Sequence, residues 1–293
     1  MADRLARALA HQGTLRVLAA VTTDLVEEAR RRHETAPTAT AALGRALTGA
    51  LLLAATIKRD ERLSLEFSGD GPLRGVLVDA TPEGDVRGFV MRPATHLPPR
   101  RGKLDVGGAL GRGVLCVMRV PLAGVGRLYR SVVPLASGEI GGDLAEYLQS
   151  SEQTPAAVGV GVYVDGDGRV VAAGGYLVQG LPGATQDALD AVADRVERAA
   201  TPSQLVRDGL GPVDILHAVA GEDVSLLEER EVQFRCRCSR ERVDAAILAM
   251  GRAEIAAVLE SERRAEATCE FCGTRYVVGE NELRGLLAGV ARN

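Results

Sequence analysis

The sequence predicts an α+β protein in three parts: an N-terminal mixed domain with an antiparallel sheet and helices, a helical linker, and a small C-terminal four-cysteine zinc domain. Three observations predict it. Strand-like segments recur between turn signals from Thr14 to Val178, with helical patterns set apart from them. From Leu181 to about Arg230 the pattern becomes short helical pieces interrupted by proline and glycine. Beyond that, four of the five cysteines gather as Cys236-Arg237-Cys238 and Cys269-Glu270-Phe271-Cys272. The predicted boundaries are 1–180, 181–231 and 232–293.

Composition supports a folded chain. Hydrophobic residues make up 46% of the 293, ample for a core, while aromatics are only 3% and Trp is absent, so that core is built from Leu, Val and Ala. The net charge of −4 comes without a run of like charges. Asp3, Arg4 and Arg7 interrupt the N-terminal Ala and Leu residues, which argues against a secretory leader. The longest apolar stretch, Ala46 to Ile57, is closed off by Arg45 and Lys58 and falls short of the ~20 residues a bilayer span needs. The expectation is a cytoplasmic protein with no membrane segment, where paired thiols serve metal or redox chemistry.

The elements follow in order. Thr14 to Val21 reads as a strand, Thr23 to His33 as a helix, and Thr38 to Ile57 as a second, Ala/Leu-rich helix. Strands are predicted at Leu63–Phe67, Leu73–Asp79, Val86–Met91, Val114–Val120 and Arg127–Val133. Asp70-Gly71-Pro72 and Pro82-Glu83-Gly84-Asp85 supply turns between them. A helix over Ile140–Ser151 precedes a hairpin in which Val158–Val164 turns through Asp165-Gly166-Asp167-Gly168 into Val170–Val178.

The next segment places Leu189, Val192 and Val196 on one helical face, broken at Pro202 and again at Gly209-Leu210-Gly211-Pro212, before a short helix over Val213–Ala220. Helices this short lean on a neighbour for stability. Two readings stand: a linker of marginal stability, or a small helical subdomain packed on the core.

In the last part Ser239 is a good N-cap for a helix over Arg240–Ala249, which Gly251 stops, and a second helix covers Arg252–Ser261. Cys269 to Gly273 has the shape of a zinc knuckle, with Gly273 free to take a positive φ, and Tyr276–Val278 forms a short strand beside it. About sixty residues with few large apolar groups need a staple. Cys236, Cys238, Cys269 and Cys272 can supply one by gathering round a single tetrahedral Zn²⁺, closing a loop of thirty intervening residues. Arg235, Arg237, Arg240 and Arg242 lie close in sequence and would favour the oxidisable thiolate form. The spacing alone leaves open a permanent staple or a switch.

Cys236-Arg237-Cys238-Ser239-Arg240-Glu241-Arg242 followed by Cys269-Glu270-Phe271-Cys272-Gly273 resembles the C-terminal signature of the 33-kDa chaperonin family, the redox-regulated heat-shock holdases. Gly69-Asp70-Gly71-Pro72, Ser151-Glu152-Gln153 and Ala173-Gly174-Gly175 resemble that family's core landmarks in the same order, so the likeness spans the chain. The resemblance implies an ATP-independent chaperone of the bacterial cytoplasm that is inactive while reduced and zinc-bound. It implies one Zn²⁺ per chain on Cys236, Cys238, Cys269 and Cys272, and disulfides Cys236–Cys238 and Cys269–Cys272 on oxidation. Zinc release, loss of structure in the C-terminal domain and linker, dimerisation, capture of unfolding client proteins and their later transfer to ATP-driven foldases are implied with it. Two disulfides paired in that way close only tiny local rings, so the long cross-link would vanish and the segment would unfold. The apolar face of Leu189, Val192 and Val196 is then a candidate client-binding surface.

Other chemistry is poorly supported. Cys116, in a Val/Leu-rich strand pattern, reads as a small buried hydrophobe. His11, His33, His96 and His217 are scattered, and no catalytic triad suggests itself, so the chain is not expected to be an enzyme. A zinc ribbon that binds nucleic acid should present a basic face, yet residues 230–293 carry eleven Arg against ten Asp plus Glu. A thiol oxidoreductase would want a βαβ context around Cys269, which is missing.

Overall fold

The computed structural model describes residues 2–122 and 127–290; the last three residues of the predicted C-terminal segment lie outside the described residues. The chain forms two compact units, Met1–Arg235 and Cys236–Asn293. The larger begins with β1 (Arg4–Ala10), β2 (Leu15–Val21), α1 (Thr23–His33) and α2 (Pro37–Ala54). Then come β3 (Glu61–Gly69), β4 (Gly75–Ala80), β5 (Asp85–Val90), α3 (Val106–Leu110), β6 (Gly113–Pro121) and β7 (Tyr129–Pro134). It continues with α4 (Gly141–Ser150), β8 (Ala156–Val164), β9 (Val170–Gly180), α5 (Gln186–Arg198), α6 (Pro202–Arg207), α7 (Pro212–Ala220), β10 (Val224–Glu231) and β11 (Gln233–Phe234). The smaller unit holds α8 (Arg240–Met250), α9 (Arg252–Ser261), β12 (Arg264–Thr268), β13 (Arg275–Gly279) and α10 (Glu280–Val290). This is the α+β class expected from the alternation of strand and helix signals.

Two sheets organise the larger unit, in the orders β10-β1-β2-β9-β8 and β11-β5-β4-β3-β6-β7. All pairings are antiparallel except β11 with β5. Helix α2 packs on β3, β4 and β5 of one sheet and on β8 and β9 of the other. Its sequence explains why: every position from Thr38 to Ala54 is buried, and a helix without a polar face must be enclosed. Of the few polar groups on it, the Thr48 hydroxyl meets the Thr22 hydroxyl at 2.7 Å and Arg45 pairs with Glu139, although Arg45 Nε has no acceptor. The Gly69-Asp70-Gly71-Pro72 turn fits tightly here. A Cβ on Gly71 would lie 2.4 Å from the Ala109 carbonyl oxygen, so only glycine permits the approach.

Residues 181–231 form part of this unit. The outer face of the five-stranded sheet presents Ala6, Ala8, Val17, Ala19 and Val178, whose small side chains leave room for α5, α6 and α7. Val192, Leu205, Ile215 and Val219 fill it. Pro202, read from sequence as a break, is also the first residue of α6, where its missing N–H costs nothing. Strands β1 and β10, absent from the sequence reading, pair from Arg4 opposite Glu231 to Ala10 opposite Val224.

Candidate metal centre

The site is assembled from two short loops of the smaller unit. Cys236 and Cys238 precede α8, whose first turn is capped by the Ser239 hydroxyl accepting from the Arg242 N–H. Cys269 and Cys272 sit in the turn between β12 and β13, a hairpin paired from Arg264 opposite Gly279 to Thr268 opposite Arg275. The turn is a tight knuckle: the Gly273 N–H donates to the Cys269 carbonyl at 2.8 Å and the Cys269 N–H to the Thr274 carbonyl at 2.9 Å. Gly273 has φ +71°, the left-handed conformation expected of it.

The structure brings all four predicted sulfurs together. Their Sγ atoms lie within 4.8 Å of one another, with Cys236 to Cys269 at 3.7 Å and Cys238 to Cys272 at 3.5 Å. Zinc held by four thiolates at about 2.3 Å sets its sulfurs about 3.8 Å apart, and the observed spacing fits that shell. The four cysteines could therefore hold a metal ion, and an all-sulfur tetrahedral donor set is the one zinc prefers. All five cysteines of the chain are thiols rather than disulfides.

The thiols are electrostatically coupled. Burial pushes Cys269 up to about 12, and its contacts with Cys272 and Cys236 add to the shift. Burial raises Cys238 as well, although the Tyr276 hydroxyl opposes it. Burial also acts against ionising Cys272, but hydrogen bonds from the Thr274 side chain and backbone and from Cys238 bring it down to about 7. Four thiolates cannot crowd this space on their own; a divalent cation held by these sulfurs would supply the balancing charge.

Two further groups touch the sulfurs. The Tyr276 hydroxyl donates to Cys238 Sγ at 3.1 Å, and the Thr274 hydroxyl is 3.2 Å from Cys272 Sγ. Tyr276 was legible only as a strand residue; its place four residues beyond Cys272 was the available signal. The sequence reading gave Arg240 a role in keeping the thiols ionised. Its guanidinium is instead committed to Asp244 at 2.9 Å, Glu282 at 2.8 Å and the Val277 carbonyl at 3.0 Å, which ties α8 to α10 and β13.

Of the other predicted residues, Val192 is buried in the cluster beneath α5, with Leu189 and Val196 packed against it. Cys116 is buried in β6, its Sγ accepting from Arg130 Nε at 3.3 Å. No helix among the described residues is long and apolar enough to cross a membrane.

Comparison with known proteins agrees with this architecture. The profile of the Hsp33 protein family matches residues 3–279. A 33 kDa chaperonin of Symbiobacterium thermophilum is 51% identical over 295 aligned residues, covering 99% of each chain. That of Bacillus subtilis is 42% identical, covering 97% of this chain and 98% of its own. The crystal structure of a 33 kDa chaperonin from Thermotoga maritima superposes with a TM-score of 0.93 at 37% identity over the full length of both chains.

Proposed function

The chain belongs to the Hsp33 family, and from that premise we propose that it is a redox-regulated, ATP-independent holdase, kept inactive by one Zn²⁺ and activated by oxidation of the cysteines that hold it. The observation that carries the reading is the gathering of four thiols within 4.8 Å in a unit whose buried aliphatic side chains are only Ile247, Ile255, Val278 and Leu283 among the described residues. So small a core depends on the cross-link that the sulfurs provide, which for structural zinc is worth apparently ~10–16 kcal/mol near neutral pH.

In the resting state Cys236, Cys238, Cys269 and Cys272 are the ligands, with Tyr276 and Thr274 orienting two of the sulfurs. Bound zinc keeps the sulfurs as thiolates, the form that oxidants attack. Peroxide takes two electrons from each pair of sulfurs and becomes two waters on taking up two protons, leaving Cys236–Cys238 and Cys269–Cys272 disulfides. Each disulfide joins near neighbours in sequence, so nothing then ties residues 236–238 to 269–272. The smaller unit unfolds.

The segment 181–231 is proposed as the metastable linker that opens next. Its helices are short, and α6 and α7 each begin at a proline. Loss of α5 would uncover Leu189, Val192 and Val196 together with the alanine-rich sheet face beneath, an apolar surface suited to unfolding clients and to a second copy of the chain. Clients would pass to ATP-dependent foldases after reduction, in a bacterial cytoplasm. No reaction on a substrate is needed.

The test is to treat zinc-loaded protein with peroxide at elevated temperature, follow metal release with a chromogenic chelator and assay suppression of client aggregation. Peptide mapping of the oxidised protein should recover the two local disulfides. Zinc release with no gain in holdase activity would leave a structural site only.

A further inference from the structure

Three arginines run diagonally across one face of the five-stranded sheet. Arg7 on β1 stands opposite Leu18 and Glu228, while the next rows place Arg16 of β2 opposite Leu9 and Arg230 of β10 opposite Leu5. Diagonal neighbours on such a face lie about 7–8 Å apart. Leu5 and Leu18 of the same face belong to the main core, so the half-buried arginines border that core.

Their charge is not balanced. Glu228 pairs with Arg230 at 3.4 Å, and Glu152, whose charge also reaches Arg16, is engaged by Arg119 of the second sheet. Arg16 is left with the neutral Gln179 side chain at 3.4 Å. The Arg7 side chain makes no hydrogen bond or ion pair among the described residues, and the Nε atoms of Arg7, Arg16, Arg119 and Arg230 are all buried without an acceptor. Burial and then the charge of Arg7 lower Arg16. Burial lowers Arg230 as well, with Arg59 and Arg7 adding to it against Glu228 and Glu83. Buried donors are almost always satisfied, and water could accept these hydrogen bonds but could not relieve the repulsion between like charges.

We infer that the Arg16–Arg7–Arg230 diagonal binds a linear phosphate chain, the chemistry shared by inorganic tripolyphosphate and the triphosphate of a nucleotide. Guanidinium forks match phosphate oxygens in pairs. A chain with charge at several points along its length meets successive arginines, whereas one compact anion reaches two at most. Glu228 stands opposite Arg7 but is taken up by Arg230, and Glu152 by Arg119, which leaves Arg7 and Arg16 as the place where negative charge is missing. The site lies wholly within residues 1–235 and does not depend on the thiol chemistry.

The test is calorimetric titration of the reduced, zinc-loaded full chain with tripolyphosphate at low ionic strength, with ATP in a parallel arm. Binding at one site per chain, weakening as salt is raised, is expected. Arg7→Gln with Arg16→Gln should lower affinity about tenfold or more, and Arg7→Lys, which keeps the charge but loses the fork, should lower it several-fold. Arg112→Gln, a control whose side chain is 97% exposed, should change nothing. Removing a repelling charge should leave the melting temperature without anion unchanged or raised, separating lost binding from lost folding. ATP bound as tightly as tripolyphosphate through the same arginines identifies a nucleotide source, and ATP bound more weakly identifies the free chain. Failure of both to bind, equal binding by the double variant, or an equal loss in Arg112→Gln overturns the proposal. An oligoribonucleotide held more tightly than tripolyphosphate by the same residues overturns it in favour of a nucleic-acid surface.

Discussion

The two units of this chain are stabilised by different means. In residues 1–235 the stability is spread over two extensive apolar clusters, one around the fully enclosed α2 and one beneath α5, α6 and α7. In residues 236–290 four buried side chains and a hairpin of two five-residue strands surround four sulfurs. Distributed stability erodes gradually when any one contact is lost. Concentrated stability can disappear with a single event, and under the proposed function that event is oxidation of the thiols. On that proposal the same chain holds a durable body and a removable clasp.

The largest test of that contrast is metal removal. Stripping zinc with a chelator, or replacing one ligand as in Cys272→Ser, should cost the smaller unit on the order of 10 kcal/mol, more than its core can offset. Hydrogen exchange should show amides of 240–290 exchanging at unfolded rates while those of α2 and β3 keep their protection. Protection retained in α8 and β13 would mean the small core suffices, and the contrast would collapse.

Truncating one core residue in each unit comes next. Ile255→Ala and Leu47→Ala each remove a buried aliphatic side chain, 1% and 0% exposed, and each should cost about 2–5 kcal/mol. The consequences should differ. Leu47→Ala should lower the melting temperature of the larger unit and leave the zinc release rate alone. Ile255→Ala should speed zinc release under peroxide, because little else holds the smaller unit. Equal zinc release rates in the two variants would show that the thiol cluster does not sense its core.

Much of this was legible in the sequence, for identifiable reasons. The gathering of the four cysteines was legible because metal chemistry demands a residue type and a spacing, and Ser239 and Gly273 were legible because a cap and a positive φ demand particular residues. Strand β10 was hidden. Val224 to Glu231 carries four acidic or basic residues in a row at its end, and what makes it a strand is its long-range partner β1 rather than its own alternation. β1 was obscured by alanines at Ala6, Ala8 and Ala10, poor strand formers that are buried here because helices need close access to that face. The contacts of Tyr276 and Thr274 with sulfur depend on a fold that no local pattern specifies.

The larger unit contains a titrating group of its own. Asp3, buried just before β1, accepts the Leu25 N–H at 2.7 Å and the Asp24 N–H at 3.1 Å at the start of α1. Burial pushes its carboxyl up to about 6 despite those hydrogen bonds. A folded-state value above the unfolded one means the folded state holds the proton more tightly. The resulting stabilisation is complete below about pH 4 and is lost as pH rises through about 6, a swing of roughly 2–3 kcal/mol. Asp3→Asn should remove that slope from denaturant unfolding of the larger unit. An unchanged slope between pH 4 and 7 would assign it elsewhere.

The smallest expected effect refines the clasp itself. Tyr276 donates to Cys238 from β13, so it fixes the orientation of a sulfur whose own loop lies on the other side of the thirty-residue gap. Tyr276→Phe keeps the ring and deletes only the donor. Zinc affinity, measured by chelator competition, should fall by about tenfold, the usual consequence of losing one outer hydrogen bond to a ligand. Folding of the zinc-loaded protein should be unaffected, since the half-buried ring remains in place. Removing the donor also leaves Cys238 a more basic and more nucleophilic thiolate, so peroxide should release zinc faster from the variant than from the parent. A lower affinity with an unchanged rate of oxidative release would separate the two roles and show that Tyr276 serves the staple alone.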